Sequence, residues 1–193
     1  MVAIVRHGAT DFNRGNGNHG LLQEAAEERY RGNLPIPLNA QGRREAMNAA
    51  ANIGMPVKMV VADDHYPRDL ETAQIIAQHT GAPLVIDERM QPINIGDVSG
   101  KSKKATYKLV DWFFQHPDAV FPGGEAVGSF YQRQKSAILE YLDKDGGDPS
   151  GAIVIVGQGS TIRTLPAMLH NDDWSLIEST MERVGTGEIH WIQ

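Results

Sequence analysis

The chain has 193 residues, 41% of them hydrophobic and 22% charged, the make-up of one folded domain rather than a disordered or fibrous polymer. Its 18 Lys+Arg against 24 Asp+Glu leave a formal net charge of −6, which argues against a nucleic-acid partner. With no cysteine, disulfide scaffolds and thiolate metal sites are excluded, and no apolar run is long enough to span a membrane.

The N-terminal residues are a short apolar run followed by Arg6, without the charged start and long apolar core of a signal peptide, so a cytoplasmic domain with no membrane partner is expected. In chain order, residues 2–5, 59–62, 84–86 and 153–156 are apolar and rich in β-branched side chains, as buried strands are. Residues 188–192 mostly alternate polar and apolar and read as a half-exposed or edge strand. Helical patterns lie between them, at 40–53, 68–80, 102–115, 127–142 and 160–170, with a polar loop at 143–151. This alternation predicts an α/β fold, a three-layer α/β/α sandwich with a mostly parallel sheet, in a single domain over 1–193. Residues 14–30 depart from it. A Gly/Asn-rich start followed by helix formers reads as a lid or a surface insertion.

In such sheets ligands bind beyond the carboxyl ends of the strands. After the first strand come Arg6, His7, Gly8, Ala9 and Thr10; after the second, residues 63–68 end on Arg68; after the fourth, Gly157, Gln158 and Gly159 open a helix. Arginines, a histidine, an amide and a helix start therefore meet at one sheet edge, which predicts an anion site with a nucleophile. The third glycine of a dinucleotide fingerprint is replaced by Ile162, and no P-loop string occurs, so the anion is not expected to be held by a nucleotide cradle.

Arg6-His7-Gly8 with Asn13, then Arg29 to Gly32, Pro37 to Gly42, Arg68 followed by Thr72-Ala73, Gly96, Gly100, Pro122 to Glu125 and 154–159, in that order, resemble the histidine phosphatase (phosphoglycerate mutase-like) superfamily over nearly the whole chain. The resemblance implies a phosphoglycerate mutase-like fold and a phosphatase forming a phosphohistidine on His7, with no cofactor and no metal. Neutral His7 would attack phosphorus through one nitrogen while an acceptor on the other fixes the tautomer. Arg6 and Arg68 would hold phosphoryl oxygens with Gln158, and Thr10, Asn13, Arg31, Gly32 and Gly159 would complete a site for a small phosphorylated molecule. A homodimer is a candidate assembly.

Two positions depart from the family pattern. Gln158 stands where the family has its second histidine, and Pro92 where it has the general-acid glutamate. Glu88, Asp97 and Glu125 are the candidate substitutes for the acid, with Asp64 also close to Arg68 in sequence. Without one, a general acid worth ~10²–10⁴ in rate is missing, and substrates with good leaving groups are favoured. The alternative reading is an impaired phosphoryl-binding module or pseudo-phosphatase; a phosphoglycerate-type mutase ranks third. Among the remaining residues, Asp63, Asp64 and His65 read as a polar loop rather than metal ligands. Residues 112–114 are expected to pack a helix onto the core, and Lys101 to Lys104 to form a solvated helix start.

Overall fold

A computed structural model describes residues 1–13, 28–177 and 185–192. Most of the expected lid or insertion at 14–30 lies outside the described residues. The chain runs β1 (Val2–Arg6), α1 (Ala40–Asn52), β2 (Val57–Ala62), α2 (Pro67–Thr80), β3 (Leu84–Ile86), α3 (Lys103–Gln115), α4 (Val127–Asp145), β4 (Ala152–Gly157), α5 (Gly159–Leu169) and β5 (Ile189–Ile192). Single 3₁₀ turns occupy Glu88–Met90, Gly96–Val98 and Trp174–Leu176.

The strand order is β3-β2-β4-β1-β5. Parallel pairing joins β1 to β4, β4 to β2 and β2 to β3, while β5 runs antiparallel along the free edge of β1. Every residue of β1 and β4 is buried, which is why these runs lack a polar alternation: helices cover both faces of a central parallel strand. Residue by residue the two faces part company. Ile4, Val61, Ile153 and Ile155 pack against Tyr131, Ile138, Ile162 and Leu165 of α4 and α5. Val5, Val60, Val154 and Val156 meet Ala49, Ala50, Ala73 and Ile76 of α1 and α2 on the other side. The small alanines of α1 and α2 let those helices lie close to the sheet. Each fully buried Ile or Val contributes ~1.5–3 kcal/mol.

Most element ends lie within two residues of expectation, and three features depart further. Helix α4 continues to Asp145 before Gly146 ends it in the left-handed region at φ 58°, because the Asp145 carboxylate is anchored by Lys58 Nζ at 2.8 Å and by the Met1 amino group at 2.5 Å. Only two of the three aromatics at 112–114 reach the interior. Phe113 and Phe114 join a separate cluster with Phe121 and Phe130, whereas Trp112 is 46% exposed and stacks on His116. The basic helix start is not uniformly solvated either. Ser102 caps α3 through Ala105 N, and Lys103 folds inward to bond Glu28 Oε1 at 2.5 Å and overlie the Tyr30 ring.

Candidate active site

The parallel strands β1, β2 and β4 all end on the same edge, and the three turns that follow them build the site. After β1 the chain turns at His7-Gly8-Ala9 directly against the start of α1. That approach needs two glycines: a Cβ on Gly8 would lie 2.2 Å from Gly42 O, and one on Gly42 would lie 2.1 Å from Ala9 O. The contact is fastened by polar bonds. Asn39 N donates to Ala9 O at 3.0 Å while its side chain accepts from Gly42 N at 2.9 Å and caps α1. Ala9 N donates to Glu45 Oε2 at 2.8 Å, and Gly8 N to Thr72 Oγ1 at 3.1 Å. Thr10 gives both its N–H and its hydroxyl to Asn13 Oδ1, leaving the Asn13 NH₂ as the donor that residue can offer.

His7 is completely buried. Its Nδ1 lies 2.7 Å from Gly8 O, a carbonyl that can only accept, so Nδ1 carries the hydrogen and Nε2 the lone pair. No protein group among the described residues bonds Nε2. Burial, then the positive charges of Arg31, Arg68 and Arg6, hold the ring well below the ordinary histidine range, and it stays neutral.

Those three arginines come from three segments. Arg6 ends β1, Arg31 follows the residue-28–30 strand-like bridge to Ser102, and Arg68 is the second residue of α2. The turn before α2 is shaped by Asp63, whose Oδ1 accepts from His65 N at 3.0 Å and Tyr66 N at 3.2 Å; Pro67 then starts the helix. Asp63, one of the residues expected to form a polar loop, therefore acts as a backbone clamp. Arg68 is fully buried, lies over the Tyr66 ring, and donates to Leu34 O and Gly32 O, both at 2.9 Å. These bonds pin the 31–34 loop, with Gly32 at φ +48°, against α2. Arg31 is pushed below the usual guanidinium range by burial and by Arg6 and Arg68, the mark of like charges confined together. Among the described residues, Glu28 is the carboxylate that acts most strongly on both Arg6 and Arg31.

The third turn follows β4. His7 N donates to Gly157 O at 3.1 Å, and Gln158 is the buried N-cap of α5, its N–H donating to Thr161 Oγ1 at 3.1 Å. The Cα of Gly159 faces the Arg6 guanidinium, which a Cβ there would approach to 3.8 Å. The Gln158 amide donates through Nε2 to Asp69 Oδ1. Sequence reasoning misses Asp69, because an acidic residue in a first helical turn reads as a dipole partner. In the fold it is fully buried, and burial raises its carboxyl to about 8.

The structure thus brings together His7, Arg6, Arg31, Arg68, Gln158 and the Gly32 and Gly159 backbone. Of the carboxylate candidates, Glu125 acts on Tyr66, the ring that Arg68 overlies. Glu88 and Asp97 are exposed. Glu125 accepts from Arg133 at 2.9 Å and from Asn94 N at 2.8 Å, and so ties α4 to the preceding loop. Asp64 is half exposed beside His65. Pro92 is buried. Among the described residues no group of three or more His, Cys, Asp or Glu is placed to hold a metal, and no helix is long and apolar enough to cross a membrane.

Residues 2–191 match the profile of the histidine phosphatase superfamily (branch 1). Phosphoglycerate mutase-like protein 4 of Arabidopsis thaliana is 30% identical over 85% of this chain and 68% of its own length. The Escherichia fergusonii protein named probable phosphoglycerate mutase GpmB is 28% identical over 100% of this chain and 87% of its own. Among solved structures, a mycobacterial glucosyl-3-phosphoglycerate phosphatase superposes with a TM-score of 0.74 at 22% identity, over 97% of this chain and 87% of that one. An Entamoeba histolytica phosphoserine phosphatase bound to phosphoserine reaches 0.68 at 21% identity over the same shares. With a profile that spans both ends of the sheet and a phosphoglycerate mutase-like fold, this chain belongs to the histidine phosphatase superfamily, branch 1.

Proposed function

We propose that the protein is a phosphatase that hydrolyses a small phosphorylated molecule through a phosphohistidine on His7. The observation that carries this reading is the buried, neutral His7 ring, with Nδ1 committed to Gly8 O and Nε2 without a hydrogen-bond partner among the described residues, beside three arginines. Nε2 supplies its lone pair to phosphorus, the bond from phosphorus to the leaving oxygen breaks, and that oxygen departs with the electron pair. Arg6, Arg31 and Arg68 offset charge on the phosphoryl oxygens, and Gln158 and Asn13 add neutral donors. Water then attacks phosphorus from the side opened by the departed group. The P–N bond breaks, inorganic phosphate leaves and neutral His7 returns.

Relatives and neighbours carry the names mutase and phosphatase, two activities that differ in what receives the phosphoryl group. Water is the acceptor in the reading proposed here. The departure of the acid matters more. With Pro92 in its place and Glu125 held by Arg133, good leaving groups such as aryl phosphates, acyl phosphates or pyrophosphate fit the site best.

Hydrolysis of an activated aryl phosphate, compared with a His7→Ala control, tests the reading. Release above that control, with an acid-labile phosphoryl adduct trapped on His7 by rapid quench, is the expected result. Equal rates in the two proteins overturn it. Phosphate binding that depends on Arg6 and Arg68 without turnover would instead support the impaired-module reading, which Pro92 and Gln158 favour.

A further inference from the structure

Gln158 and Asp69 form a pair that joins two elements far apart in sequence. Asp69, on the first turn of α2, has no solvent exposure, and its Oδ1 accepts from Gln158 Nε2 at the start of α5. Its other oxygen, Oδ2, meets no hydrogen-bond partner among the described residues and sits 3.8 Å from Arg68 Nε. Arg68 Nε faces Oδ2 at ion-pair distance but beyond hydrogen-bond reach, and the arginine's terminal nitrogens donate to Gly32 O and Leu34 O. A buried carboxyl that is left half-bonded is costly to keep, and an apolar residue would pack there more easily. Among the described residues, the side chain it serves is Gln158.

Gln158 needs such a partner. Glutamine has three rotatable side-chain bonds, so an untethered amide beside the pocket would have to be ordered at the moment of phosphoryl transfer. The amide nitrogen carries two hydrogens; one is used on Asp69 and one remains.

We propose that Asp69 is a positioning residue for Gln158, its carboxyl fixing the amide at the start of α5 so that the second N–H meets a phosphoryl oxygen. This rests on the phosphoryl-binding half of the reading above, not on turnover. The groups that face Asp69 are Asp63 from the turn before α2, Arg68 on its own helix, Arg31 from the 31–34 loop and Gln158 from α5. Burial keeps the carboxyl protonated up to about 8, so at neutral pH a neutral acceptor holds the amide and no negative charge stands beside the anion. Above that pH the ionised carboxylate repels the bound anion.

The test is calorimetric titration with sulfate, a dianion throughout the range used, at pH 7 and pH 9. The comparison is between the native protein and Asp69→Asn, which is nearly isosteric and does not titrate. Lys103 is lowered to about 8 and Arg31 is also depressed, so both proteins lose some affinity with pH for that reason. The ratio of the two Kd values isolates Asp69. It is expected to shift against the native protein by up to about tenfold between pH 7 and pH 9, the limit for one proton titrating one pH unit below the upper pH. A ratio that does not change overturns the pH-dependent part of the proposal.

A double-mutant cycle supplies the second arm. Gln158→Ala is expected to weaken sulfate binding, and Asp69→Leu to weaken it less, while the double variant binds no more weakly than Gln158→Ala alone. Penalties that multiply would mean that Asp69 acts independently of Gln158 and would refute the pairing. Where Asp69→Leu fails to fold, by its circular dichroism, Asp69→Ala takes its place in the cycle. Because sulfate is not turned over, an inactive protein with the expected ratio would refute the phosphatase reading and leave this one standing.

Discussion

Replacing Gly42 by alanine adds one methyl group to the first turn of α1. Two effects oppose each other. In an open helix, Gly→Ala gains ~0.8–1.0 kcal/mol from backbone entropy and propensity. Here the new Cβ would lie 2.1 Å from Ala9 O and 2.6 Å from Ala9 N, both backbone atoms that no rotamer change can move aside. Ordinary contact begins near 3.4 Å, so the His7–Ala9 turn must withdraw by more than 1 Å. The same carbonyl accepts from Asn39 N at 3.0 Å, so the withdrawal also strains the α1 cap. Overpacking of this kind costs ~1–3 kcal/mol or more, which exceeds the propensity gain. The net loss lowers Tm by a few degrees, at ~2–4 °C per kcal/mol for a chain of this size. A displacement of about 1 Å at a reacting group can cost ~10²-fold in rate, so activity falls more steeply than stability. Thermal unfolding and aryl phosphate hydrolysis on the same preparation measure both. A Gly42→Ala protein with native Tm and native rate would show that the turn is not held by this contact.

Further expectations concern the nucleophile and the carboxylates. His7 is depressed in the fold, so the unfolded chain binds the extra proton first; stability is retained above pH 6.5 and falls below it, by at most ~1.4 kcal/mol per pH unit from this group. In a His7→Gln variant that part of the slope should vanish in denaturant titrations between pH 5 and 7, and an unchanged slope would contradict the buried neutral ring. Glu125→Gln should destabilise by ~1–2 kcal/mol through its bonds to Arg133 and Asn94, while leaving the ratio of aryl to alkyl phosphate rates where it was. Loss of alkyl phosphate activity alone would instead identify Glu125 as the acid. Aryl phosphates should be cleaved ~10²-fold or more faster than alkyl phosphates, and equal rates would point to an acid among residues other than Pro92.

The buried strands could be read from sequence because both faces of β1 and β4 are covered, and the resulting unbroken apolar runs at 2–5 and 153–156 are too short for a buried helix. His7, Arg6 and Arg68 were legible from the order of their surroundings. Asp69 was not. A lone acidic residue two positions after Pro67 has an adequate local role at a helix start, and only the meeting of the β4–α5 turn with the start of α2 at the sheet's edge turns it inward to Gln158. Lys103 and Trp112 failed for the converse reason: composition placed one outside and one inside, whereas Glu28 draws the first in and the outer face of α3 leaves the second exposed. Helix α4 overran its expected end because Asp145 has partners from Lys58 and the chain start, neither of which is close to it in sequence.

Arg68 has a use beyond its charge. By donating to Gly32 O and Leu34 O, it is the bolt that fastens the Arg31 loop to α2, so two of the three cations are set in place by one side chain. Deleting it would remove a positive charge and release its neighbour together, and the affinity lost for an anion would overstate what Arg68 itself contributes. Lysine, with the same charge and a single nitrogen, can fasten at most part of that joint. The cationic cluster behaves as one assembly whose stiffness and whose charge cannot be altered separately at this position.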